Sequence, residues 1–271
     1  MTERTKRVQP ARSRWSRDVA RAAAAALLAA VVAAGCSRDE RSADVDSSAE
    51  ARDTTADRSL AAEPVDRNAS HVTNGSASRA PAPRASILFI GTSLTAGYGL
   101  DSPDQAYPAI VARMLDSAGH PADVINLGVS GETSAGARAR IDWALRNPAD
   151  VVVVETGAND GLRGLSVAAA RENIQTILDR IRVLRPRARV LLVQMEALPN
   201  LGARYTSDFH AMFPELARKN GVELVPFLLE GVAGNPSLNQ PDGIHPNARG
   251  ARIAARTVYD ALVRKPLVAN D

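Results

Sequence analysis

The chain has 271 residues, with 33 Lys or Arg against 30 Asp or Glu, a formal charge of +3. Its single cysteine excludes an intramolecular disulfide, and its four histidines fall in no metal-ligand spacing, so neither a metal nor another cofactor is expected. Much of the basic excess precedes residue 22, and the later run of Arg180, Arg182, Arg185, Arg187 and Arg189 has no interleaved aromatics or reader motif, so no nucleic-acid partner is expected.

At the N-terminus Arg4, Lys6, Arg7, Arg12, Arg14, Arg17 and Arg21 precede an alanine-rich apolar run over residues 22–34, and Gly35-Cys36 follows. A basic stretch, a short apolar stretch and small residues before a cleavage point are the marks of an export signal. The run is shorter than the roughly 18 apolar residues of a spanning helix. Residues 1–36 therefore read as a signal peptide. Ala33-Ala34-Gly35-Cys36 resembles a bacterial lipobox, with Cys36 as the expected site of diacylation, although Ala33 stands where a larger aliphatic residue is usual. Ordinary signal-peptidase cleavage is the alternative. The expected location is extracytoplasmic, as a membrane-anchored lipoprotein facing the periplasm or exterior, or else soluble in the periplasm. Residues 37–84 are rich in Ala, Ser, Asp, Arg and Pro and hold no aromatic residue, so they bury too little surface to offset chain entropy and are expected to form a disordered tether.

Residues 85–265 read as one folded domain, and 266–271 as a short tail. The apolar run Ile87-Leu-Phe-Ile90 predicts a buried strand that Gly91 ends, just before Thr92-Ser93. Ser93 is then either part of a turn capping a helix or a nucleophile at a strand's carboxyl end, where open α/β sheets place their sites. A strand over 122–125 is followed by Asn126-Leu-Gly-Val-Ser-Gly131-Glu-Thr, and one over 151–154 by Gly157-Ala-Asn159-Asp160. Acyl transfer needs donors aimed at a developing oxyanion, and the Gly131 amide, the Asn159 side chain and the Ser93 amide could supply them. Each motif taken alone is an ordinary turn former. Further strands are predicted over 189–194 and 222–226, with helices over 107–118, 134–145, 167–184, 208–219 and 248–263. Ile174, Ile177, Leu178, Ile181 and Leu184 recur at helical spacing, which predicts a core face. Alternating strands and helices with continuously apolar strands predict an α/β/α domain around a parallel sheet. Near the end, Asp242-Gly-Ile-His245-Pro places a carboxylate three residues before a histidine in a Gly/Pro loop. Asp242 could fix the His245 tautomer and leave the other ring nitrogen to take a proton; a plain surface turn would look the same.

Taken together, these blocks resemble the SGNH (GDSL-like) hydrolase family over residues 86–263, closest to its bacterial periplasmic thioesterase I/lysophospholipase L1/arylesterase branch. The supporting segments are Ser130-Gly-Glu-Thr133, Gly157-Ala-Asn-Asp-Gly-Leu-Arg-Gly164 and Asp242-Gly-Ile-His-Pro-Asn247. The resemblance implies a five-stranded, flavodoxin-like parallel sheet. It implies Ser93 as nucleophile, Asp242 and His245 as the rest of a triad, and Ser93, Gly131 and Asn159 as the oxyanion hole. The family's first block usually reads Gly-Asp-Ser-Leu, and Thr92 replaces its acidic residue here. That departure puts the local geometry around Ser93 in question.

The implied activity is hydrolysis of carboxylic esters, including aryl esters, lysophospholipids and acyl thioesters, so the partner is a small ester or lipid. Tyr98, Leu100, Leu162, Leu165, Leu198, Pro199 and Tyr205, read as loop residues near the strand ends, could line an acyl groove or could simply pack the loops. A carbohydrate O-acetyl esterase of the same fold is the rival within the family. A non-catalytic envelope lipoprotein is the rival of another class.

Overall fold

The computed structural model describes residues 84–268. The signal segment, Cys36, the tether up to residue 83 and the last three residues of the tail lie outside the described residues. Within them, β1 (Ala85–Gly91), β2 (Ala122–Gly128), β3 (Val151–Val154), β4 (Arg189–Val193) and β5 (Glu223–Val225) form one sheet in the order β2-β1-β3-β4-β5. Every neighbouring pair is parallel. This is the expected flavodoxin-like, doubly wound order.

Sequence dictates which strands sit inside. β3 is four valines, all fully buried, and Ile87, Leu88, Phe89 and Ile90 of β1 are equally buried. A strand covered on both faces has no polar side to show, so its residues do not alternate. The edge strands β2 and β5 carry polar residues and are only partly buried.

The helices are α1 (Ser93–Ala96), α2 (Tyr107–Ser117), α3 (Ser134–Ala144), α4 (Ala158–Leu162), α5 (Val167–Leu184), α6 (Ala203–Asn220) and α7 (Ala248–Leu262). α5 packs against both α3 and α6, and α2 packs against α7. On α5 the predicted face is realised: Ile174, Ile177, Leu178 and Ile181 are buried, and Leu184 is partly buried against the same core. α6 begins at Ala203, five residues before the predicted start at 208. Gly202 caps it without a side-chain hydrogen bond, so the usual polar start signal is missing. α1 is the helix that the Thr92-Ser93 turn is read as capping, whereas the short α4 was not anticipated, because it spans little more than one turn. No helix among the described residues is long and apolar enough to cross a membrane.

The two edges of the sheet have different jobs. At the edge where strands begin, the Arg189 guanidinium grips Glu223 at 2.7 and 2.9 Å and donates to the carbonyls of Ala261 (2.8 Å) and Leu262 (2.7 Å), capping the end of α7. At the opposite edge the loops leave the strands, and there backbone approach is close. Gly128 ends β2 so near to α1 that an added Cβ would lie 2.7 Å from the Thr95 carbonyl carbon and 2.8 Å from the Ala96 Cα. Gly128→Ala should therefore push α1 off the sheet and cost about 1–3 kcal/mol of stability as overpacking. Thermal unfolding checks this, and an unchanged midpoint would mean that α1 yields without resistance.

Candidate active site

Thr92 leaves β1 in extended geometry (φ −97°, ψ −154°) and caps α1 by accepting from the Leu94 amide, so Ser93 is the first helical residue. As such its own N–H has no partner within the helix. Gly97 closes α1 in the left-handed region at φ 76°, which an L side chain rarely adopts, and its amide donates to the Ser93 carbonyl at 3.0 Å. The next residue, Tyr98, also donates its amide to that carbonyl and lays its ring against His245, centroids 4.8 Å apart.

The Asp242 turn brings the imidazole to Ser93. Asp242 Oδ1 accepts from the Ile244 and His245 amides at 2.9 and 3.0 Å, folding a tight turn with Gly243 at φ 71°. Its other oxygen, Oδ2, lies 2.6 Å from His245 Nδ1. His245 Nε2 is then 2.9 Å from Ser93 Oγ. Burial works to raise the Asp242 pKa, but the His245 amide and imidazole and the Ile244 amide outweigh it and hold the carboxyl below its ordinary value. An ionised Asp242 accepts the Nδ1 proton, which leaves Nε2 as an acceptor facing the hydroxyl.

This loop is braced on both sides. Gln240 donates its amide to the His245 carbonyl (2.7 Å) and its side chain to the carbonyls of Tyr98 (2.7 Å) and Pro246 (3.0 Å). Asn247 caps α7 through the Arg249 and Gly250 amides. Gln240 thus ties the His245 turn to the loop that follows Ser93.

The loop after β2 is held by α4. Asn159 Nδ2 donates to the Glu132 carbonyl at 3.0 Å, and Arg163 donates to the Gly131 carbonyl at 2.9 Å. Asp160 accepts from the Ser134 amide (2.8 Å) and hydroxyl (2.6 Å). Gly131 itself sits at φ 78°. Its carbonyl is engaged, while its N–H makes no hydrogen bond among the described residues. Asn159 uses one amide hydrogen on Glu132 and keeps a second. Val129 N–H donates to the Gly91 carbonyl at 2.8 Å, which sets this loop beside the one that carries Ser93.

A narrow cleft lies beside Ser93, with Leu94, Tyr98, Leu100, Leu228 and Leu229 in its lining. Of the residues expected to form a groove, Tyr98 and Leu100 line it; Leu162, Leu165, Leu198, Pro199 and Tyr205 do not. Three of these are not loop residues: Pro199 opens a 3-10 turn over Pro199–Leu201. Leu162 ends α4, and Tyr205 lies on α6, where its hydroxyl donates to the Leu165 carbonyl at 2.7 Å and the Asp160 carbonyl at 3.2 Å.

Sequence reasoning missed what lies beneath Ser93. Glu155 is fully buried directly after β3 and accepts from the Thr92 amide (2.8 Å), the Thr92 hydroxyl (2.9 and 3.0 Å) and the Thr95 hydroxyl (2.9 Å). Burial raises its pKa to about 7, against the opposing pull of the Thr92 and Thr95 donors. A charged residue closing a run of four valines was the available signal. Thr92 is accordingly a working part of the turn, capping α1 and donating below. The folded protein binds the Glu155 proton more tightly than the unfolded chain, so this group's stabilising contribution is full below about pH 4.5 and is lost as pH rises through about 7. Glu155→Gln should therefore gain in melting temperature relative to wild type between about pH 5 and pH 8. Parallel shifts of both proteins would contradict it.

Comparison with known proteins places residues 89–253 in a match to the GDSL-like Lipase/Acylhydrolase family. Esterase TesA of Pseudomonas aeruginosa is 37% identical over 184 residues, 67% of this chain and 89% of that protein. Thioesterase 1/protease 1/lysophospholipase L1 of Escherichia coli K12 is 36% identical over 188 residues, 68% of this chain and 86% of that protein. The crystal structure of the psychrotrophic esterase EstA from Pseudoalteromonas sp., inhibited by monoethylphosphonate, superposes with a TM-score of 0.62 at 30% identity, covering 66% of this chain and 97% of EstA.

Proposed function

The chain belongs to the GDSL-like lipase/acylhydrolase family, and on that premise we propose that Ser93 is the nucleophile of a two-step acyl transfer. The protein is a carboxylic ester hydrolase, as its relatives are. The observation that carries the residue assignment is the relay from Ser93 Oγ to His245 Nε2 at 2.9 Å and from His245 Nδ1 to Asp242 Oδ2 at 2.6 Å.

His245 takes the Ser93 proton as Oγ attacks the ester carbonyl, and Asp242 steadies the imidazolium that forms. Negative charge moves to the carbonyl oxygen. The Gly131 amide, the free hydrogen of Asn159 and the Ser93 amide receive it, each such donor being worth roughly 10²–10³ in rate. Protonated His245 then passes its proton to the leaving group, and water repeats the sequence on the acyl-enzyme. The leucines that line the cleft beside Ser93 support an apolar group on the substrate. The relatives' names support lipid esters and thioesters over a purely binding role.

Ser93→Ala should lower kcat on p-nitrophenyl esters of graded acyl length by roughly 10³–10⁶. A p-nitrophenyl alkylphosphonate should add one phosphonyl mass to wild type and none to the variant. Retained turnover or labelling in Ser93→Ala would remove Ser93 from the role. The same panel, extended to a lysophospholipid, an acyl thioester and an acetylated sugar, separates lipid from carbohydrate acyl groups.

For the N-terminal segment, the basic run, the short apolar run and Gly35-Cys36 support export and lipid attachment at Cys36, with the domain facing the periplasm or exterior. Intact mass of membrane-extracted protein should then correspond to a chain beginning at an acylated Cys36. A mature N-terminus elsewhere rejects it.

A further inference from the structure

We propose that Glu155 is a positioning residue for ester hydrolysis: its ionised carboxylate, set beneath the turn from β1 into α1, fixes Thr92 and through it the amide and hydroxyl of Ser93. The proposal rests on the reading of Ser93 as nucleophile. It concerns a group that touches neither substrate nor the reacting atoms.

The hydrogen-bond directions argue for an anion. The Thr92 amide can only donate, and it points at Glu155 Oε2 at 2.8 Å. The Thr92 hydroxyl lies 2.9 and 3.0 Å from the two oxygens and at the same time accepts from the Leu94 amide, so its hydrogen faces Glu155. Thr95 donates at 2.9 Å. With its hydrogen spent there, the Thr95 oxygen must accept from Tyr107 at 2.8 Å. All three hydrogens converge on one carboxylate, and the ionised form accepts them with no hydrogen of its own left to place. A protonated Glu155 would have to donate to one of these groups, breaking the set at the residue next to Ser93.

No Lys or Arg pairs with this charge among the described residues; dipoles alone hold it. Around it β1 contributes Gly91, α1 and its cap contribute Thr95 and Thr92, and α2 contributes Tyr107. Tyr107 is the titratable group of these. Burial, then the Glu155 charge, holds its phenol well above the ordinary value, so it stays a neutral donor. Space below the turn is full: a Cβ at Gly91 would fall on the Thr95 side chain and 2.8 Å from Glu155 Oε2. An Asp at position 92 would bring a second carboxylate against the first, and the pair would share a proton. Thr92 leaves Glu155 as the lone acid.

The consequence is a second proton that must be absent for turnover, besides the one His245 must lack. In wild type, the acid limb of log kcat/KM against pH on p-nitrophenyl acetate should steepen toward a slope of about two. In Glu155→Gln that slope falls to about one, with kcat at about pH 8 at least tenfold lower and KM within about threefold. Glu155→Asp should recover part of kcat. A role in folding alone would move stability and leave the slope and the split between kcat and KM unchanged. A wild-type limb of unit slope, or a Glu155→Gln variant with kcat within threefold of wild type, overturns the proposal. If Glu155→Gln does not fold, the wild-type slope decides. Phosphonate labelling keeps the two readings apart: Glu155→Gln should still be labelled at Ser93, more slowly, whereas labelling of Ser93→Ala would instead sink the assignment of the nucleophile.

Discussion

The 2.9 Å contact between Ser93 and His245 joins residues 152 positions apart, and the rest of the site is arranged around keeping it. Nothing local could do so. The sheet brings both loops to the same edge, because parallel strands deliver every following loop to their carboxyl ends. The last adjustment comes from short-range chemistry. Asp242 folds its own turn through two amides before it touches the imidazole, and Gln240 binds that turn to the Tyr98 carbonyl. The histidine is thus placed by backbone geometry, and its ring is oriented afterwards.

Beneath this contact the protein trades stability for order. A carboxylate buried without a cation is costly, and the rise of the Glu155 pKa to about 7 expresses that cost. What the fold gains is a fixed acceptor for three donors on the turn that starts α1. Strained or costly groups persist where surrounding structure over-determines them, and such places cluster at functional sites. The clamp on the other loop is cheaper: Asn159, Asp160 and Arg163 all come from or follow the short α4 and hold the Gly131 segment by its carbonyls and by Ser134, the first residue of α3, leaving the Gly131 amide unoccupied.

How much of this was legible depended on whether the signal was local. The four valines of β3 and the periodic face of α5 announce themselves, and both elements begin and end where periodicity places them. Asp242 and His245 were readable because they are three residues apart in one turn. The start of α6 was not, since Gly202 offers no capping side chain and Tyr205 looks like a loop aromatic. Glu155 was in plain sight at the end of an apolar run, yet its meaning needs Thr92 and Thr95, which lie 63 and 60 residues earlier and reach it only through strand pairing. For the same reason the replacement at Thr92 read as a weakness in the motif; in three dimensions it is the hydroxyl that both caps α1 and meets the buried acid.

The polarity of the sheet has one more effect. β1 starts at Ala85, on the edge where Arg189 also gathers the end of α7, so both ends of the folded domain leave by the side away from Ser93. Neither the first residue of β1 nor the last turn of α7 therefore borders the mouth of the site, and the loops that shape it are free of both ends of the described domain.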